Sequence, residues 1–238
     1  MSKGTLYLLP TTLGSESWTH VIPQEVAELA RNMRYFAVED IKSARRYLRK
    51  LDRSFPIDDS TFFILSKRSA PEDLPKMLKP LKEGHHVAII SEAGCPGIAD
   101  PGSELVALAH QKGFFVSPMV GPSSILLTLI GSGFNGQSFA FHGYLPKDRK
   151  SRIQTLKNYE RTARQTNQTQ LFMETPFRNM NVLEDLLNEL MDDTQLCIGC
   201  DLTLPSQRIQ TMSVVKWREN AFDLAKRPTI FAIGRMEL

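Results

Sequence analysis

Hydrophobic positions along this chain fall into short apolar runs separated by segments whose apolar residues recur every three or four positions. Runs of the first kind read as buried strands and segments of the second kind as amphipathic helices. Residues 6–9 (LYLL) predict a strand ending at Pro10-Thr11-Thr12-Leu13-Gly14. Pro23 stands where a first-turn proline belongs, with Val26, Leu29 and Ala30 giving a helical stripe behind it. Residues 35–38 predict the next strand, ending in Glu39-Asp40. Ile41, Ala44, Leu48 and Leu51 then share one helical face, and Lys42, Arg45, Arg46, Arg49 and Lys50 surround the rest. Strands at 61–65, 87–90 and 114–116 alternate with helices at 74–81 and 104–111.

Residues 117–122 (SPMVGP) read as a linker, dividing the chain into domains 1–117 and 118–238. Beyond it come a helix at 123–130, strands at 139–141 and 170–173, a helix at 178–190, and strands at 196–200, 212–215 and 229–233. The alternation predicts an α/β fold. The first half should be a mostly parallel sheet with helices on both faces, and the second half a mixed α/β domain richer in strands.

Composition narrows the class. The 238 residues suffice for two domains, with 42% hydrophobic and 23% charged residues, as in ordinary globular proteins. A net charge of +3 is too weak by itself to imply a nucleic-acid partner. Three cysteines, an odd count, suggest no disulfide framework and fit a reducing cytoplasm. The apolar run in the first ten residues is too short for a signal peptide. No apolar stretch approaches the ~18 residues of a membrane helix.

The most specific local signal is SEAGCPGIADPG, residues 91–102, between the predicted strand at 87–90 and the following helix. Ordinary strand-to-helix loops run to about 2–6 residues. A longer glycine- and proline-dense turn at the carboxyl edge of a parallel sheet lies where open α/β sheets bind ligands. Gly94, Gly97 and Gly102 permit positive φ or close backbone approach, and Pro96 and Pro101 stiffen the path.

Other candidates are weaker. GSGFNG (131–136) matches a dinucleotide fingerprint but closes a helix and precedes a strand, so it reads as a helix stop and turn. Cys197 and Cys200 form a CxxC inside an apolar strand, where residues three apart face opposite sides, so they read as buried structural thiols. The scattered histidines form no metal constellation, and neither a P-loop nor a GxSxG elbow occurs. Gly121-Pro122-Ser123-Ser124 is a helix entry whose hydroxyls suit capping or a ligand carboxylate. Lys147, Arg149, Lys150, Arg152, Lys157, Arg161 and Arg164 make a basic run that, with the helix at 42–53, suggests attraction to phosphate, as in RNA.

Taken together, these segments resemble the tetrapyrrole methylase superfamily, and within it most closely the ribosomal RNA small-subunit methyltransferase I family. LYLLPTTLG (6–14) resembles the family's opening strand and proline loop, and Glu39-Asp40 followed by Arg45 and Leu48 its acidic–basic helix entry. SEAGCPGIADPG resembles its central S-D-A-G-x-P-x-I-x-D-P-G motif, and residues 120–124 its P-G-P-S segment. FAFHGYLP (139–146) and ETPFR (174–178) resemble two second-domain motifs. The match covers nearly the whole chain. Three departures stand out: Asp201-Leu202-Thr203-Leu204 replaces an E-L-T-K segment and lacks its lysine, residues 11–15 read TTLGS rather than T-P-x-G-N, and the chain stops at Leu238, short of a typical member.

The resemblance implies two mixed α/β domains with a cofactor cleft between them, holding S-adenosylmethionine, and a homodimer. It implies cofactor contacts from Leu9, Pro10, Ser91, Glu92, Ala93, Gly94, Cys95, Ser123 and Ser124, with Phe172, Leu204 and Thr229 approaching from the second domain. Thr11, Glu39 and Arg45 would face substrate, and Glu39, Asp40 or Asp100 could serve as a general base. The implied acceptor is a cytidine ribose 2′-hydroxyl in small-subunit ribosomal RNA. A tetrapyrrole or other small-molecule acceptor, and a non-catalytic RNA- or cofactor-binding role, stay open at this point.

Overall fold

The computed structural model describes residues 3–66 and 69–236; the expectations that touch Met1 and Leu238 lie outside these. The chain divides into two compact units, Met1–Ser123 and Ser124–Leu238.

The first unit is a five-stranded sheet built from β1 (Thr5–Leu9), β2 (Tyr35–Val38), β3 (Thr61–Ile64), β4 (Val87–Ile90) and β5 (Phe115–Pro118). Their spatial order is β3-β2-β4-β1-β5, and every neighbouring pair is parallel. A parallel sheet covered on both faces requires apolar residues on both, which is why its strands read as unbroken hydrophobic runs. β4 shows this directly. Ala88 and Ile90 join the core under α1 (Gln24–Asn32) and α2 (Ile41–Leu51). Val87 and Ile89 join the core on the other face, under α3 (Leu74–Met77), α4 (Lys79–Lys82) and α5 (Ser103–Gln111).

Two expectations change here. The single helix expected at 74–81 is two short turns parted at Leu78, because Pro75 and Pro80 lack the N–H groups a continuous helix needs. β5 begins one residue later than expected and runs into the proposed linker, with Ser117 and Pro118 paired against Tyr7 and Leu8. A proline is tolerated there because β5 is an edge strand.

The second unit is a mixed sheet of β6 (Phe139–Tyr144), β7 (Thr169–Met173), β8 (Gln195–Cys200), β9 (Arg208–Ser213) and β10 (Thr229–Gly234), in the order β6-β7-β10-β8-β9. Only β6 and β7 run parallel. On one face lies α6 (Ser124–Ser132), and on the other lie α7 (Arg149–Thr166), α8 (Asn179–Glu189) and α9 (Val214–Asn220). Cys197 packs on the α6 side and Cys200 on the opposite side, both buried and both free thiols. The GSGFNG segment ends α6 at Ser132, with Gly133 at φ 74°. The strand expected at 212–215 instead ends at Ser213, where α9 begins and buries Val214 and Trp217 one turn apart.

The basic run at 147–164 is largely helix α7, capped by Asp148, whose carboxylate accepts from the Ser151 N–H at 2.8 Å. Its charges are mostly matched within the unit. The Arg152 guanidinium is buried and lies 2.7 Å from the buried Asp185 carboxylate, while Arg149 Nε reaches the other Asp185 oxygen at 2.9 Å. Lys157 pairs with Glu189 at 2.8 Å, and Arg164 pairs with Asp193. This narrows the reading of the run as attracting phosphate: four of its seven cations are paired with carboxylates of their own unit.

Candidate active site

The strand order fixes where a site can form in the first unit. From β2 the chain passes through α2 on one face to β3, and from β4 it passes through α5 on the other face to β5. Adjacent strands β2 and β4 therefore send their connections in opposite directions. Such a switch point opens a crevice at the carboxyl ends of the strands. Those ends carry Glu39-Asp40 after β2 and Ser91-Glu92 after β4.

The turn at 91–102 is tied down by its neighbours. The Thr11 N–H donates to the Gly94 carbonyl at 2.9 Å, the Thr11 hydroxyl to the Ser91 carbonyl at 3.4 Å, and the Ser91 hydroxyl to the Gly94 carbonyl at 3.4 Å. The Cys95 thiol points at the Gly121 and Pro122 carbonyls, 3.7 and 3.5 Å away, and partial burial raises its pKa. Gly94 is buried at φ 71°, and a Cβ there would sit 3.0 Å from the Pro122 oxygen and 3.1 Å from Leu13 Cδ2. A Cβ on Gly121 would lie 2.1 Å from Pro10 Cβ. The loops after β1, β4 and β5 thus pack closely, Gly94 under the Pro122 carbonyl and Gly121 against the Pro10 ring, with no room for a side chain at these two positions.

Beside this turn is a recess of about 140 Å³, bounded by Thr11, Thr12 and Ser91 on the loops and by Ser43, Arg46, Tyr47 and Lys50 on α2. The Tyr47 hydroxyl donates to the Pro10 carbonyl at 2.8 Å, and burial drives the Tyr47 pKa far above its ordinary value. Lys50 Nζ donates to the Ser15 carbonyl at 2.6 Å. Asp40 caps α2, accepting from the Ser43 N–H at 2.8 Å, and the hydrogen bonds from Ser43 hold its pKa below the usual carboxylate value. The Ser43 hydroxyl reaches Glu92 Oε1 at 2.6 Å, linking the helix start to the glycine turn.

The expected residues of this unit therefore gather at one edge. Leu9 ends β1 and Pro10 and Thr11 follow it, Ser91, Glu92, Ala93, Gly94 and Cys95 follow β4, Glu39 follows β2, and Ser123 ends the unit. Thr11 is buried, its hydroxyl engaged with Ser91. Arg45 is exposed, its guanidinium 5.5 Å from the centre of the Phe62 ring. Asp100 lies within the turn itself, next to Ala99, which carries a strained φ of 66°. Ser43, Tyr47 and Lys50 were not anticipated. Ser43 had a visible signal, three residues after an acidic cap, whereas Tyr47 reads as one more apolar residue of the helix face.

Ser124, Phe172, Leu204 and Thr229 belong to the second unit. Phe172 is fully enclosed in its core, stacked on Phe231 at 5.6 Å between ring centres. Thr229 is also buried, its hydroxyl donating to the Arg227 carbonyl at 3.0 Å, and Leu204 is half-buried. In the segment that lacks the lysine, Asp201 is paired with Arg227 at 2.8 Å and accepts from the Ser206 hydroxyl at 2.8 Å. Glu174 and Arg178 of the ETPFR segment form an ion pair at 2.6 Å. Among the described residues no cluster of histidine, cysteine or carboxylate side chains is arranged to hold a metal ion. No helix there is long and apolar enough to cross a membrane.

No family model matches the chain. It is 31% identical over 211 residues to the ribosomal RNA small subunit methyltransferase I of Vibrio cholerae, an alignment covering 89% of this chain and 69% of that protein. The chain belongs to the ribosomal RNA small subunit methyltransferase I family. Family members from Halalkalibacterium halodurans and Escherichia coli O157:H7 are 33% and 30% identical over 187 and 202 residues. Those alignments cover 78% and 85% of this chain, but only 60% and 66% of the relatives. The chain thus spans about two thirds of the length of these family members. Among solved structures, the methyltransferase CobJ shares the fold at a TM-score of 0.62, with 18% identity, over 99% of this chain and 95% of that one. A uroporphyrin-III-C-methyltransferase from Thermus thermophilus does so at 0.57, with 14% identity, over 98% and 96%. These two likenesses bear on the two-domain α/β fold alone.

Proposed function

We propose that this protein is an S-adenosylmethionine-dependent methyltransferase that modifies a ribose 2′-hydroxyl in RNA of the small ribosomal subunit, working in the cytoplasm as a homodimer. The observation that carries the reading is the 31% identity across 89% of the chain to a relative named a ribosomal RNA small subunit methyltransferase, and the ribose hydroxyl as acceptor is what the family resemblance implies. The first unit suits the cofactor. Its glycine turn offers backbone without side chains, and the carboxylates at the crevice suit a cationic sulfonium. The recess of about 140 Å³ is smaller than the roughly 300–1,000 Å³ of complete small-molecule sites, so this unit would supply part of one.

In this reading Leu9, Pro10, Ser91, Glu92, Ala93, Gly94, Cys95, Ser123 and Ser124 contact the cofactor. Leu204 adds a side chain, and Phe172 and Thr229 add main-chain groups, since their side chains are enclosed. That assignment rests on the family resemblance, while the division into domains 1–117 and 118–238 rests on the linker at 117–122. S-adenosylmethionine supplies a methyl group already activated for displacement, so the chain's task is alignment and acceptance of one proton. Glu39, Asp40 or Asp100 would take that proton. Ser43 already hydrogen-bonds the charged form of Asp40, which lowers its basicity. Thr11, Glu39 and Arg45 face the acceptor.

The test is transfer of labelled methyl from S-adenosylmethionine to 30S subunits from cells lacking this modification, with cofactor binding followed by calorimetry. Label in the ribosomal RNA, located at a ribose, is the expected result. Cofactor binding without transfer to any RNA would overturn the acceptor. No cofactor binding would overturn the enzyme.

A further inference from the structure

We propose that the exposed face of α2 is the surface on which the sugar–phosphate backbone of the RNA acceptor lies, a role that rests on the RNA reading above. Two basic regions compete for it, and their ion pairs separate them. On α7, Arg149, Arg152, Lys157 and Arg164 are each matched by a carboxylate of their own unit. On α2 and just beyond it, Lys42, Arg45, Arg46, Arg49, Lys50 and Arg53 form no ion pair among the described residues.

The arrangement on α2 is directional. Ala44, Tyr47, Leu48 and Leu51 are buried against the sheet. Lys42, Arg45, Arg46 and Arg49 recur at three- and four-residue spacing, so they form one stripe on the opposite side, about 10 Å long at 1.5 Å per residue. Cations at that spacing repel one another, and Lys42 stands at the positive end of the helix dipole. The Asp40 cap stands beside Lys42 and offsets part of this at the helix start. Exposed cations on one face, with no ion pair of their own among the described residues, present a field that a polyanion would neutralise.

Its position matters as much as its charge. Arg46 and Lys50 border the recess that also touches Thr11 and Ser91, and Ser43 links α2 to the glycine turn through Glu92. A strand held by its phosphates along the stripe therefore brings a ribose to the carboxyl edge of the sheet. Arg45, stacked over Phe62, is pre-positioned without a carboxylate to hold it.

The experiment compares the parent with the triple variant Lys42→Ala, Arg45→Ala, Arg49→Ala, chosen because these residues lie outside the recess. The control is Lys150→Ala with Arg161→Ala on α7. Binding of a short single-stranded oligoribonucleotide is titrated across salt concentrations, and methyl transfer to 30S subunits is measured alongside. The α2 variant should lose at least about tenfold in RNA affinity, and its salt slope should flatten by about two units, at roughly 0.7 per lost contact. Its S-adenosylmethionine affinity and thermal midpoint should match the parent's. The charge-keeping variant Arg45→Lys, Arg49→Lys should retain most of the binding. A folded α2 variant with the parent's RNA affinity and slope overturns the surface while leaving the function standing. The surface is equally overturned if the α7 control loses more binding than the α2 variant, or if the parent prefers anionic lipid vesicles to RNA. A parent that methylates no RNA overturns the functional reading, and the surface with it.

Discussion

Replacing Asp185 should unfold the second unit far more readily than replacing any of the exposed cations of α7. Its carboxylate is 2% exposed and faces the Arg152 guanidinium, itself 7% exposed, at 2.7 Å. Among the described residues, Asp185→Leu leaves that buried guanidinium with the Lys147 carbonyl, 3.2 Å away, as its one hydrogen-bond acceptor and with the exposed Asp148 as a more distant charge. An uncompensated buried charge of this kind costs about 3–5 kcal/mol. The pair itself is worth much less than that, because both ions were desolvated to make it. The double variant Arg152→Met, Asp185→Leu should therefore come within about 1 kcal/mol of the parent, or exceed it. Urea unfolding measures this cleanly. Trp217 is buried in the second unit and the only other tryptophan, Trp18, is in the first, so a Trp18→Phe background reports the second unit alone. A single-variant cost below about 1 kcal/mol, or a double variant as unstable as the single, would refute the reasoning. The same logic bars Arg152 from any test of RNA binding, since its loss weakens the fold.

Two further outcomes follow from the geometry. Gly94→Ala should destabilise the first unit by about 1–3 kcal/mol, since it forces a side chain into φ 71° beneath the Pro122 oxygen, and unchanged urea stability would count against it. Burial pushes the Cys197 thiol from 9.0 up to about 11, so the unfolded state ionises first; stability is full below pH 9 and falls as pH rises from there to about 11, by roughly 2–3 kcal/mol. Cys197→Ala should remove that part of the alkaline loss, and native thiol titration at neutral pH should find Cys95 reacting ahead of Cys197 and Cys200; three equally fast thiols would contradict the burial.

Most of the first unit was legible because parallel strands buried on both faces leave unbroken apolar runs, as in LYLL, YFAV and VAII. The glycine turn was legible because its length and composition have few other uses. Helix α7 was not, because its buried face is Arg152, Leu156, Glu160 and Ala163, half of it charged, and no apolar period survives. Its ends did carry a signal, Asp148 as cap and Asn167 at φ 53°, with no glycine or proline between them. The start of β9 was missed for the same reason: Arg208 and Gln210 on an edge strand look like a loop. The pairing of Asp185 with Arg149 and Arg152 is long-range, and no local pattern announces it.

The central place of β1 in its sheet has a consequence for synthesis of the protein. β1 is made before the other strands of its sheet, yet its two neighbours are β4 and β5, with Leu6 opposite Val87 and Thr5 opposite Phe115. At about 5–20 residues per second, the nascent LYLL segment waits roughly 4–16 s before its first partner strand is made. Through that interval an apolar strand with both edges open is exposed on the nascent chain, a standing invitation to chaperones and to mispairing. The first unit can close only when β5 has emerged, so its folding is a single late event rather than a progressive one.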